Sequence, residues 1–338
     1  MFKKLLQRYT SELDRTMRQV VDEIDPAAPG FRAMVRYPLG WSDEKGQPHN
    51  KPAGKRIRPL FLLLCTEAAG GEWRQALPAA AAVELLHNFS LVHDDIQDGS
   101  PLRHGRATVW QVWGAARAIN AGDALFSLAF AALEQLSRQG LPPETVIRVW
   151  RVFNHTNLEL TRGQHLDMLY ETLDHVTVDD YLTMITGKSA ALLAACAQIG
   201  ALIATGDEPL AATYREFALN LGVAFQIRDD ILGIWGDPAV TGKSAATDIS
   251  SRKKSLPVLY GLARSPQLAA IYAQDALTNA DTIEAVALLD LQNARDYARQ
   301  VEADFYNNAV AALRRARPQG QAADWLTQFV DALFQRSY

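Results

Sequence analysis

His93-Asp94-Asp95-Ile96-Gln97-Asp98 and Gln226-Ile227-Arg228-Asp229-Asp230-Ile231-Leu232-Gly233 each follow an apolar run with helical patterning. Carboxylates at the ends of such helices are costly unless a cation meets them. Asp94 and Asp98 stand four apart, so on a helix they project from one face and can share a cation. Asp229 shares a face with Gly233 in the same way, and Asp230 flanks it. Two such helices facing each other would line a mouth with hard oxygen ligands, the kind magnesium selects. Magnesium held by few carboxylates completes its shell with substrate phosphate oxygens, so the residues point to diphosphate chemistry beside an apolar cavity. Asp94, Asp98 and Asp229 are the candidate metal ligands. Asp95 and Asp230 either coordinate directly or support the residues that do.

The elements that must carry these groups are helical. Ala, Leu, Glu, Gln and Arg dominate and alternating β-branched runs are nearly absent. The patterning predicts helices near 3–24, 57–70, 74–98, 107–118, 120–139, 144–172, 178–204, 208–235, 256–264, 281–317 and 320–336. Residues 31–54, rich in Pro and Gly, are the least regular part. Pro78 to Asp98 is apolar most of the way round, which marks a central helix. No linker of Ser, Gly or Pro composition divides the 338 residues, so the expectation is one all-α domain over 1–338. Lys and Arg number 34 against 38 Asp and Glu, a net charge of -4 that suggests no nucleic-acid partner. Cys65 and Cys196 lie in apolar helical runs and read as reduced core residues, which fits a cytoplasmic protein. The N-terminal segment is amphipathic rather than secretory, and the run Ala190 to Ala204 is too short to span a bilayer, so no stable membrane insertion is expected.

A series of further motifs occurs in order along the chain. Gly54-Lys55-Arg56-Ile57-Arg58-Pro59 precedes His87, which lies seven residues before Asp94 and so shares its helix face. Arg103-His104-Gly105, Gly163-Gln164-His165-Leu166-Asp167, Gly187-Lys188-Ser189 and Phe225-Gln226 follow, then Gly242-Lys243, Asp248 and Lys253 to Pro257. With the two aspartate-rich segments, the series resembles the trans-isoprenyl diphosphate synthases over nearly the whole chain. The resemblance implies a helical bundle of the isoprenoid synthase type with a central apolar cavity. It also implies a homodimer and magnesium, three ions once substrate is bound. The reaction implied is head-to-tail condensation of isopentenyl diphosphate with an allylic diphosphate. Outer helices with apolar residues on more than one face agree with a dimer.

Two diphosphates need different anchors. Lys55 and Arg58 are one turn apart and suit a diphosphate held without metal. The resemblance assigns isopentenyl diphosphate to Lys55, Arg58, His87 and the region of Arg103 and His104. It places the allylic leaving group on the metals. Arg103, Lys188, Lys243 and Lys253 would stabilise pyrophosphate as the allylic bond breaks. Carbonyls around Lys188-Ser189 and the amide of Gln226 would stabilise the allylic cation.

Two departures stand out: His104 replaces the family's usual second arginine, and Gly233 replaces the last aspartate of the second motif. A histidine is only partly protonated near neutrality and makes no bidentate phosphate contact, whereas Arg106 could reach back across Gly105. Phe89 and Ser90, five and four positions before Asp94, would line the path of the growing chain about 6–8 Å down the axis. Phe89 beside a small Ser90 resembles C20 synthases, so geranylgeranyl diphosphate is the expected product, with C15 or C25 as alternatives. A class I terpene cyclase would not need Arg58, His87 or a second aspartate pair. A silent partner subunit would be expected to lose motif aspartates, and all five remain. His155 and His165 read as surface or packing residues, and Arg314-Arg315 as a solvated face.

Overall fold

The computed structural model describes residues 2–24, 28, 30–49, 54, 56–237, 246–274 and 276–334; Lys55, Gly242 and Lys243 lie outside them. The chain is all-α. Its helices are α1 (Phe2–Val21), α2 (Phe31–Arg36), α3 (Ile57–Ala68), α4 (Leu77–Gln97), α5 (Val109–Trp113), α6 (Ala115–Glu134), α7 (Pro143–Thr172), α8 (Val178–Ile185) and α9 (Ala191–Thr205). They continue as α10 (Glu208–Trp235), α11 (Thr247–Ser250), α12 (Leu256–Leu262), α13 (Pro266–Tyr272), α14 (Asn279–Leu291), α15 (Ala294–Ala316) and α16 (Gly320–Phe334). Between α4 and α5, β1 (Leu102–Arg103) pairs antiparallel with β2 (Arg106–Ala107). Two compact units emerge, one of Met1–Trp150 with Ile199–Asp207, the other of Arg151–Gln198 with Glu208–Tyr338.

In the first unit α4 is the central element and packs on α1, α3 and α6. Its residues from Leu77 to Leu86 are all buried, Glu84 included. Burying each Leu or Val of this run contributes about 1.5–3 kcal/mol, which offsets the cost of one buried carboxyl. The helix expected over 107–118 is broken at Gly114, whose φ of 84° and ψ of 154° no helix contains. The hairpin was not expected from the sequence. Its turn residues His104 and Gly105 have φ of 51° and 74°, the left-handed pair that closes a two-residue hairpin.

In the second unit α10 packs on α15, α8 and a π-helical turn, Thr186–Ala190, that joins α8 to α9. Tyr181, Ile185, Val223, Ile227, Ile231 and Leu256 form its principal core. The helix expected over 281–317 divides into α14 and α15 at Asn293, whose φ is 54°. Asparagine tolerates that left-handed state, and the chain turns there. Because α8 runs through the π turn into α9, Val178–Thr205 is long and apolar enough to cross a membrane by length and composition. However, 72% of its most apolar window is buried inside the protein, as in a core helix.

Candidate active site

At the end of α4, Asp98 is the C-cap residue and its N–H bonds the Asp94 carbonyl at 2.8 Å. Asp94 is half-buried and Asp98 exposed, so the pair opens outward on one face. Asp95 points the other way. It is 4% exposed and accepts a hydrogen bond from Arg103 Nε at 2.7 Å. Burial raises its carboxyl above the usual range, opposed by the Arg103 charge. The hairpin that carries Arg103 is fixed to α5, because Thr108 Oγ1 and Trp110 Nε1 both donate to the Ser100 carbonyl, at 2.9 and 2.8 Å.

Nearly two turns before Asp94, His87 Nε2 lies 3.0 Å from Arg58 Nη1. Arginine only donates, so His87 is the acceptor and its ring is neutral. Burial, then the charge of Arg58, holds His87 well below the usual histidine range. His87 here positions the Arg58 guanidinium and carries no charge of its own. Arg56, which the sequence did not single out, pairs with Asp14, and its side chain is 8% exposed. Glu84 Oε1 accepts from Asn88 Nδ2 at 3.3 Å, while Glu84 Oε2 has no hydrogen-bond partner. Burial raises the Glu84 carboxyl, against the pull of Arg56 and Arg58.

Arg106 does not reach back toward His104. It donates to the carbonyls of Tyr37 and Ser42, at 3.4 and 3.2 Å, and its guanidinium lies 4.2 Å from the Tyr37 ring centroid. His104 itself is exposed at the hairpin tip. Phe89 stacks near His93 and near Phe126 of α6, with centroids 4.7 and 5.0 Å away. The aromatic row runs on through Phe130 to Trp150. Its members Phe89, Phe126, Phe130 and Trp150 are all half-buried. Ser90 Oγ donates to the His87 carbonyl at 2.9 Å.

The second unit builds its site around Asp230. This carboxylate is 0% exposed and accepts from Tyr181 Oη, from Lys253 Nζ at 2.9 Å, from Gln226 Nε2 at 3.2 Å and from the Leu256 N–H at 3.4 Å. Asp229 is exposed on α10. Burial opposes the charge on Lys253, yet Asp230 and Asp248 outweigh it and raise the ammonium above its usual range. Gln226 is held at its other end by Ser189 Oγ, which donates to Gln226 Oε1 at 2.8 Å. Lys188 pairs with Asp167. The π turn that presents Lys188 and Ser189 is pressed against α7. A Cβ on Gly163 would lie 2.1 Å from the Lys188 nitrogen, so only glycine fits there. Widened turns of this kind often mark functional sites.

The donors that could hold a metal are carboxylate oxygens, which suit magnesium. Asp94 and Asp98 in the first unit, and Asp229 in the second, are the ones directed outward. Among the described residues they do not gather with others into groups of three or more protein ligands.

Residues 43–289 match the polyprenyl synthetase family. The chain is 44% identical over 248 residues to a (2E,6E)-farnesyl diphosphate synthase of Mycobacterium bovis, covering 73% of this chain and 67% of that protein. It is 40% identical over 318 residues to a geranylgeranyl diphosphate synthase of Mycobacterium tuberculosis, covering 92% and 88%. The crystal structure of a polyprenyl synthetase from Streptomyces coelicolor superposes with a TM-score of 0.89 at 35% identity, covering 98% of this chain and 99% of that one. A geranylgeranyl pyrophosphate synthase from Corynebacterium glutamicum, complexed with isoprenyl diphosphate and magnesium, superposes at 0.79 with 25% identity over 99% and 98%. The chain belongs to the polyprenyl synthetase family. It is a prenyltransferase of the short-chain prenyl diphosphate synthase type.

Proposed function

We propose that this enzyme condenses isopentenyl diphosphate with allylic diphosphates head to tail, in a magnesium-dependent reaction, with the C20 geranylgeranyl diphosphate as main product. The observation that carries this reading is the layout of α4. Asp94 and Asp98 open outward at its end, and the neutral His87 holds Arg58 nearly two turns back. α4 thus offers a hard-oxygen pair for a metal-bound diphosphate and, through His87, fixes the Arg58 guanidinium of α3 for one that must stay intact. A class I cyclase, with a single diphosphate to bind, has no use for the second anchor.

Asp94, Asp98 and Asp229 would hold magnesium, which supplies Lewis-acid stabilisation of the leaving pyrophosphate. The magnesium in the Corynebacterium glutamicum complex supports that role. Arg103 and Lys253, each fixed by an inward aspartate, and Lys188, fixed by Asp167, add positive charge toward the leaving group. The breaking allylic C–O bond leaves a cation that the double bond of isopentenyl diphosphate attacks. A proton is then lost to the departing pyrophosphate. Chain length is read from the row Phe89, Phe126, Phe130 and Trp150, which makes Phe89 a braced stop rather than a lone side chain. We further propose that the two units act as one catalytic domain and that the chain works as a homodimer.

Incubation with isopentenyl diphosphate and farnesyl diphosphate, followed by product sizing, tests the reading. The expected product is C20, and none should form with Asp94→Ala. A cyclic hydrocarbon from one diphosphate, or no product from the parent chain, overturns it.

A further inference from the structure

The hairpin that carries His104 has two residues in each strand, too few for a pair of strands to hold its shape unaided. Thr108 and Trp110 fasten its base to Ser100, and a second fastening comes from the segment that follows α2. Tyr37, 2% exposed, donates from Oη to the Ala107 carbonyl at 2.7 Å. Arg106 bonds in the opposite direction. Its Nη1 donates to the Tyr37 carbonyl at 3.4 Å, its Nη2 to the Ser42 carbonyl at 3.2 Å, and the guanidinium lies 4.2 Å from the Tyr37 ring centroid. Trp113 of α5 packs edge-on against the same ring, with centroids 5.0 Å apart. Both residues of β2 are therefore clasped to one buried tyrosine, and β1 is held through its pairing with them.

We propose that Arg106 is a positioning residue for isopentenyl diphosphate: clasped to Tyr37, it sets the place of His104 at the hairpin tip and does not itself meet the diphosphate. This rests on the reading that the tip serves isopentenyl diphosphate. His104 has a φ of 51°, and a residue other than glycine persists in that left-handed region where its surroundings hold it there. The clasp on β2 begins two positions beyond it. The Arg106 fork spans two carbonyls and rests over a ring, an arrangement that the single ammonium of a lysine does not reproduce. Arg103 has a fastening of its own, the Asp95 carboxylate at 2.7 Å from its Nε. Loosening β2 should therefore release His104 while Arg103 stays in place, so the effect falls on one of the two substrates.

The test is steady-state kinetics of the full-length enzyme, with isopentenyl diphosphate and farnesyl diphosphate varied in turn and each variant melted to confirm folding. Arg106→Gln should raise KM for isopentenyl diphosphate roughly tenfold, the weakening of one charge-assisted contact, with kcat and KM for farnesyl diphosphate near the parent values. Tyr37→Phe removes a buried hydroxyl that no substrate can reach and should raise the same KM about fivefold. Because the two residues act as a unit, the double variant should be little worse than Arg106→Gln alone. Arg106→Lys keeps the charge and should not restore the parent KM. Should Arg106→Gln fail to fold, Tyr37→Phe, which keeps the ring, carries the test. A parent-like KM in Tyr37→Phe or in Arg106→Lys would make Arg106 a direct contact or a bystander and overturn the proposal. An equal rise in both KM values, or a fall in kcat, would show a general loosening and overturn it too. If His104→Gln leaves KM for isopentenyl diphosphate unchanged along with Arg106→Gln, the reading of the hairpin tip falls as well.

Discussion

Asp229 and Asp230 are adjacent and chemically identical, yet their environments predict opposite consequences for the same substitution. Asp230 has both carboxylate oxygens committed. Oδ2 accepts from Tyr181 and the Leu256 N–H, and Oδ1 from Lys253 and Gln226. Asparagine at 230 offers one oxygen, so its NH2 group must face two donors whichever way the amide is placed. A charge-assisted hydrogen bond contributes about 1.5–3 kcal/mol and a neutral one about 1, so weakening the buried Tyr181 bond costs roughly 1–2 kcal/mol. The Lys253 pair is discounted to about 0.5–1 kcal/mol, because the lysine side chain is 43% exposed. The displaced Gln226 adds about 1 kcal/mol. Asp230→Asn should therefore destabilise by about 2–4 kcal/mol, which in a chain of this size lowers Tm by roughly 3–6 °C. Asp229→Asn, on the exposed side of α10, should leave Tm close to the parent value while abolishing magnesium-dependent product formation. Thermal unfolding by circular dichroism, paired with the condensation assay, separates the two. A parent-like melting temperature for Asp230→Asn would refute the claim that its carboxylate holds α8, α10 and α12 together.

Phe89→Ala should shift product toward chains longer than C20 and Ser90→Phe toward C15; an unchanged distribution in Phe89→Ala would remove the aromatic row from chain-length control. His87 has a folded pKa held below its unfolded value of about 6.5, so the folded state binds fewer protons and stability falls as pH drops below about 6.5. His87→Gln should flatten that acid-side fall in urea unfolding, and an identical slope would mean that His87 is not held neutral. Light scattering should give twice the 37.3 kDa chain mass, and a concentration-independent mass of 37.3 kDa would refute the dimer.

Much of this arrangement was legible because helical period is a strong signal. The spacing of Asp94 and Asp98, and of His87 before them, places all three on one face of α4 without any structure. The inward phase of Asp95 and Asp230 was left open by the spacing, and the structure shows it. Glu84, Asn88, Val92 and Asp95 fall at helical intervals on the buried side of α4, and Val223, Ile227, Asp230, Ile231 and Ile234 do the same on α10. Their partners could not be read. Arg103 reaches Asp95 only because a hairpin with two residues per strand folds back, and so short an alternation carries no pattern. Lys253 and Tyr181 reach Asp230 across 23 and 49 residues of chain. Nor does sequence period reveal the π turn at Lys188, which depends on the close approach of Gly163.

The two motifs share one physical logic. Successive helical residues are about 100° apart, so of two adjacent aspartates one can face outward while the other faces the core. In both motifs the inward member is buried and neutralised by a cation from the segment that follows, Arg103 for Asp95 and Lys253 for Asp230. A buried carboxylate left alone would be costly, and that cost is what fixes the following segment in place. In the proposed reaction the same contact would hold a cation where the diphosphate leaves. The doubled aspartate thus joins two tasks that a single residue could not perform. In the proposed reaction the outward carboxylate would face the metal, and its inward neighbour would set the position of the side chain that meets the leaving group.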